Sequence, residues 1–233
     1  MSQKKRQPEP KRRRARSGKD EMNLAVFPIA ALSVRVPKNV KALKFMVDGI
    51  KSGAAPKAVT TYMEEPARRA FESGQATFMR NWPYCYALAQ KAAKTKGKFA
   101  VVPYPAFEGA GNAGVLGGAN LVISTYSKNP GASLKFIDYM THPERQSEDI
   151  VKFSDASPLK AVYEDPAVKK AQPFSDELKS AVEQAKSRPV SPVYSQVSAA
   201  IYKNVNKALS GSSTPEAALK KAQSDMDKAL KTF

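Results

Sequence analysis

Apolar residues recur at helical spacing over much of the chain. Val40, Leu43, Val47 and Ile50 share one helix face, and Gly53 stands where that helix should end. Phe174, Leu178, Ala181, Val182 and Ala185 form a second stripe. The longest periodic runs are residues 192–209 and 215–230, separated by a Ser/Gly linker at 210–213. One punctuation device recurs: a polar residue followed by proline, at Asn129-Pro130, Ser157-Pro158, Asp165-Pro166, Ser191-Pro192 and Thr214-Pro215. The polar oxygen can accept from an orphan backbone N–H, and proline lacks only a donor that would be unpaired there. Thr141-His142-Pro143-Glu144 predicts a capping box.

Strand patterns are few. Ala76–Arg80, Phe99–Val102 and Asn120–Thr125 are the candidates. Three short strands among about eight helices predict a helix-rich α/β fold. They are too few for a complete doubly wound sheet. No internal repeat is present.

Composition is ordinary except in charge. The chain has 233 residues, 42% hydrophobic and 25% charged, with a net charge of +17. The excess is concentrated at the start: residues 1–22 hold nine Lys/Arg and only Glu9, Asp20 and Glu21 as acids. That segment reads as a solvated, disordered arm. It could contact phosphates of nucleic acid or anionic lipid, but no aromatic residue is interleaved for base stacking. Leu24–Val34 has the length of a signal-peptide core, yet Lys19-Asp20-Glu21 precedes it and Arg35 follows where small residues are wanted. No apolar run is long enough to span a bilayer.

Cys85 is the only cysteine and His142 the only histidine. An intrachain disulfide is excluded and a zinc site lacks ligands. His142 falls in the capping box and reads as a surface residue of the first turn. Cys85 falls in an apolar helix, predicted over 84–93, and reads as buried and inert. Glu64-Glu65 and Asp155 are candidate carboxylates, but no spacing pairs them for acid/base work.

Trp82 is the sole tryptophan, within Asn81-Trp82-Pro83-Tyr84. Pro83 holds Trp82 out of the helical region and opens the following helix. The indole would then project beside free helix N–H groups, an arrangement suited to a sugar; packing in the core is the other reading. Gly109–Gly114 matches G-x-G-x-x-G, but a predicted strand follows it rather than precedes it, so a dinucleotide site is not supported. Gly117-Gly118 precedes that strand and would let backbone approach a ligand, or form a plain turn. Arg188, on the stiff Arg188-Pro189-Val190-Ser191-Pro192 link, is either a bidentate donor or a surface charge.

The run Phe71-Glu72-Ser73-Gly74-Gln75-Ala76-Thr77-Phe78-Met79-Arg80-Asn81-Trp82-Pro83-Tyr84 resembles a stretch of the extracellular solute-binding proteins of sugar ABC transporters, closest to the trehalose/maltose type. Leu116–Leu121, Ala132–Met140 with Gln146, and Arg188–Pro192 with the helix ending Ala208-Leu209-Ser210-Gly211 agree in the same order. The resemblance covers about residues 35–233. It implies a periplasmic binding protein-like II fold whose two lobes close on a sugar and dock on an ABC permease. It implies stacking on Trp82 and Tyr84, cleft lining by Gly117 and Gly118, and hydroxyl contacts from Arg188. It further implies no enzyme activity, no cofactor, a monomer, no specific nucleic-acid partner, and a periplasmic or extracellular, membrane-attached location.

Residues 1–34 match none of the family pattern as read from sequence. The expectation is therefore a basic leader over 1–34 joined to a C-terminal lobe with crossing elements over 35–233, lacking most of the N-terminal lobe. Such an incomplete copy would bind a disaccharide weakly or not at all alone. The alternative readings are a nucleic-acid- or anionic-surface-binding protein acting through its arm, and a carbohydrate-active enzyme.

Overall fold

The structure is a computed structural model that describes residues 33–109 and 114–231. The basic arm, nearly all of Leu24–Val34 and the centre of the Gly109–Gly114 loop lie outside the described residues.

The chain's two longest helices, α8 (Tyr194–Leu209) and α9 (Pro215–Lys231), form an antiparallel hairpin, and α1 (Pro37–Lys51) lies across both. The expected stripe faces inward: Leu43 and Val47 pack with Ala208, Ala218 and Leu219. Ala208, Ala218 and Ala222 are small enough to let the helix backbones approach closely. Further along the seam, Met226 is buried against Val193, Val197 and Ala200. The linker turns through Gly211 at φ +82°, a conformation other residues adopt only at a cost. Thr214 then caps α9, its hydroxyl accepting from the Ala217 N–H at 3.2 Å.

A second cluster unites α5 (Pro143–Phe153), a 3-10 turn over Lys160–Glu164, α6 (Pro166–Ala171) and α7 (Ser175–Gln184) around Ile150, Val162, Tyr163 and Val168. The buried Tyr163 hydroxyl is satisfied twice by Ser157, donating to its carbonyl and accepting from its N–H, each at 2.9 Å. Asp165 caps α6 as expected, accepting from the Ala167 N–H at 2.8 Å.

Two shorter helices, α2 (Glu64–Glu72) and α3 (Cys85–Ala89), pack on each other, and α3 reaches α5. Edge-on ring contacts tie Tyr86 of α3 to Phe174, just ahead of α7, at 4.9 Å and to Phe99 at 5.4 Å. The remaining helix, α4 (Pro130–Thr141), buries no residue and leaves Leu134, Phe136 and Tyr139 exposed.

Several local expectations fail for identifiable reasons. Ala76–Arg80, Phe99–Val102 and Asn120–Thr125 form no ladder among the described residues, where the pairing present is a single parallel bridge between Val115 and Lys186. Strand-favouring side chains make a strand only beside a hydrogen-bonding neighbour, and Phe78, Val102 and Val122 are exposed instead. The helix predicted over 84–93 stops at Ala89, where the backbone goes over to three-residue turns, Lys91 N–H to the Leu88 carbonyl and Ala92 N–H to the Ala89 carbonyl, and the Thr95 hydroxyl also donates to the Ala89 carbonyl at 2.7 Å. The capping box does not form. Thr141 is still the last residue of α4, so its hydroxyl bonds back to the Ile137 carbonyl, while Glu144 pairs with His142. Asn129 also makes no side-chain cap. Ser191 accepts from the Val193 N–H, but in a turn that delays α8 to Tyr194.

Among the described residues no helix is long and apolar enough to cross a membrane.

Candidate functional site

The surface around Trp82 is assembled by α2. Asn81 donates its side-chain amide to the Glu64 carbonyl at 2.9 Å, tying the residue before Trp82 to the start of that helix. The Asn81 side-chain oxygen Oδ1 accepts from the Trp82 N–H at 2.9 Å. Trp82 is 47% exposed, so it is not a sealed core residue. Its indole Nε1 donates to Glu64 Oε1 over a long 3.4 Å.

Tyr84 is held from the same helix. Its hydroxyl donates to Glu65 Oε1 at 2.8 Å. Glu65 is itself gripped by Arg68, whose Nη2 lies 2.6 Å from Oε2, and Arg68 also reaches Glu72 at 2.5 Å. The spacing Glu65, Arg68, Glu72 puts all three on one side of α2. The sequence reading considered Glu65 only as an acid/base candidate; the i, i+3, i+7 charge pattern was the available signal for its structural use. Arg68 first, and the Tyr84 hydroxyl second, hold the Glu65 carboxyl down at about 2. Burial, then Glu65, pushes the Tyr84 hydroxyl up. Burial likewise raises the Cys85 thiol, which lies in the core beneath.

The low Glu65 value gives a testable pH dependence. A carboxyl depressed in the folded state contributes stability that is complete above its ordinary value of 4.5 and is lost as pH falls through about 2. Carbon-13 NMR of glutamate carboxyls should show Glu65 titrating near the low value. A midpoint in the ordinary range would mean that the clamp on Tyr84 is not formed.

The glycine pair divides. A Cβ on Gly117 would lie 2.8 Å from Trp82 Cη2, so glycine is what lets the backbone meet the indole edge. Gly118 has nothing within 4 Å of that position. The Gly117 segment is anchored by the parallel bridge: Lys186 donates to the Gly114 carbonyl and accepts from the Leu116 N–H, both at 2.9 Å. The pairing does not continue to Gly117 and Arg188 among the described residues. Arg188 is exposed and makes no hydrogen bond or ion pair among the described residues. The structure thus brings Trp82 and Gly117 together, and shows no contact of Arg188 with either among the described residues.

Three of the N–H groups expected to be free beside Trp82 are taken. The Trp82 N–H is taken by Asn81, and those of Cys85 and Tyr86 by the Trp82 and Pro83 carbonyls. The cause is the tight turn at Pro83, which closes its own hydrogen bonds before α3 begins. What remains is an aromatic face rimmed by Glu64 and the Gly117 backbone. Among the described residues no group of His, Cys, Asp and Glu is placed to hold a metal ion.

Comparison with known proteins gives this surface a context. The family model of the bacterial extracellular solute-binding proteins matches residues 18–175, starting ahead of the Arg35 boundary read from sequence and taking in the Leu24–Val34 stretch. A probable ABC transporter-binding protein of Deinococcus radiodurans is 39% identical over 199 residues, covering 84% of this chain and 47% of that protein. Maltose-bound MalE3 of T. maritima is 39% identical with a TM-score of 0.78, covering 83% of this chain and 51% of the other. The GacH receptor of Streptomyces glaucescens, solved unliganded and with acarbose, is 28% identical with a TM-score of 0.74, covering 86% and 51%. The periplasmic-binding-protein fold implied by the resemblance is the fold of these structures, and this chain spans about half the length of the relatives it matches. Members of the family bind solutes and are not enzymes. With the match extending over most of its length, the chain belongs to the bacterial extracellular solute-binding protein family.

Proposed function

We propose that this chain takes part in carbohydrate capture for ABC-transporter uptake, and that its ligand is a disaccharide of the maltose or trehalose class. The observation that carries the reading is a half-exposed sole tryptophan lying against glycine backbone, with a clamped tyrosine two residues on. A pyranose offers an apolar C–H face to an indole and hydroxyls to groups at its rim. In this reading Trp82 and Tyr84 are the platform, Gly117 lines its edge, and Arg188 donates to ring hydroxyls. No bond is made or broken. The similar proteins described with maltose and with acarbose support the sugar class. Their place among binding proteins supports delivery to membrane permease subunits, outside the cell or in the periplasm.

The platform is open to solvent on one side, so the affinity of this chain by itself should be low. Trp82 emission has no tryptophan background. Titration with maltose and with trehalose should shift it at high sugar concentration. No shift with either sugar would overturn the carbohydrate reading, and tight binding in calorimetry would overturn the low affinity.

A further inference from the structure

The three carboxylates of α2 are used unequally. Glu65 is engaged by Arg68 and Tyr84, and Glu72 by Arg68. Glu64 is exposed, and among the described residues no lysine or arginine lies within ion-pair reach of it. Its side chain makes one contact there, the long one from the Trp82 indole N–H. Its position beside the indole does not depend on that contact alone, because its backbone carbonyl is fixed to Asn81.

We propose that Glu64 is a ligand-binding and specificity-determining residue of the Trp82 platform, selecting neutral polyhydroxylated ligands over anionic ones. The proposal rests on the carbohydrate reading and deepens it. An ionised carboxylate only accepts, and the indole N–H only donates. A hydroxyl does both, so a sugar hydroxyl at the rim can replace the 3.4 Å contact by two shorter bonds, accepting from Nε1 and donating to Glu64. A ligand carboxylate or phosphate in that position has no hydrogen to give Glu64 and meets it as a like charge. Neutral sugars are therefore favoured by an attraction and their acidic counterparts excluded by a repulsion, which together set specificity.

The test uses the full chain, with Trp82 emission as readout and two probes, maltose and its carboxylate counterpart maltobionate. The wild type should respond to maltose at concentrations at least tenfold lower than to maltobionate. Glu64→Ala should need about tenfold more maltose, and its preference for maltose should collapse. Glu64→Gln keeps shape and should lose the discrimination while retaining part of the maltose response. A Glu64→Ala chain that keeps both the maltose midpoint and the preference overturns the role of Glu64 alone. A wild type silent to maltose, maltobionate and trehalose overturns the carbohydrate reading, and this role with it.

Discussion

A single methyl group at position 117 should displace the indole of Trp82 and weaken its sugar response by tenfold or more. The added carbon of Gly117→Ala would meet Cη2 at 2.8 Å, closer than a Cβ tolerates. The indole, being half exposed, can swing outward rather than force the backbone apart. Doing so breaks its contact with Glu64 and removes it from the glycine edge. Stability should hardly change. Gly117 is exposed and lies outside the left-handed region, so alanine fits its backbone and restricts the unfolded chain, a small gain if anything. Gly118→Ala is the control, because nothing lies within 4 Å of its would-be Cβ. The expected pair of results is a red-shifted emission and lost maltose response for Gly117→Ala, with both unchanged for Gly118→Ala. Equal behaviour of the two variants would show that the glycine–indole approach does not shape the site.

The same pair shows what was legible in the sequence. Gly117-Gly118 could be recognised as a place of close backbone approach, but which glycine mattered depended on where the indole lay. Helices were legible wherever one face is buried by sequence neighbours, as in α1 and the α8–α9 hairpin, because the 3.6-residue period records burial directly. The three strand candidates misled because strand formation depends on a second chain segment. Phe78 and Val122 have the right side chains and, among the described residues, no ladder to join. The Trp82 neighbourhood was readable in its residues but not in its donors. Trp82 and Tyr84 announced an aromatic face, while three of the N–H groups expected beside it are taken by the Asn81 side chain and the turn at Pro83. The clamp on Tyr84 comes from a helix 19 residues earlier in the chain. Its Glu65–Arg68–Glu72 spacing is common on solvated helix faces, so the pattern alone could not assign it to the site.

Arg68 should be the most costly residue of that clamp to remove. Its side chain is 15% exposed and that of Glu72 14%, so the pair is partly withdrawn from water, unlike most helical ion pairs. Glu72 Oε1 is already buried without a partner among the described residues. Arg68→Met would strip the remaining cation from a shielded carboxylate. Leaving such a charge unpaired costs about 2–3 kcal/mol at partial burial. Glu65 would lose its main donor at the same time, keeping only Arg69 at 3.9 Å and the Tyr84 hydroxyl, so its hold on the ring loosens. Urea unfolding followed by far-UV circular dichroism should therefore show a lower midpoint for Arg68→Met at an unchanged slope. Adding Glu72→Met removes the stranded charge, and the double variant should recover about half of the loss or more. Its stability would return without the site, because Tyr84 still lacks the Arg68-held carboxylate and the sugar response of Trp82 should stay impaired. That separation distinguishes a clamp that positions the platform from one that merely holds α2 together: if restoring stability also restored the response, Arg68 would owe its importance to folding alone.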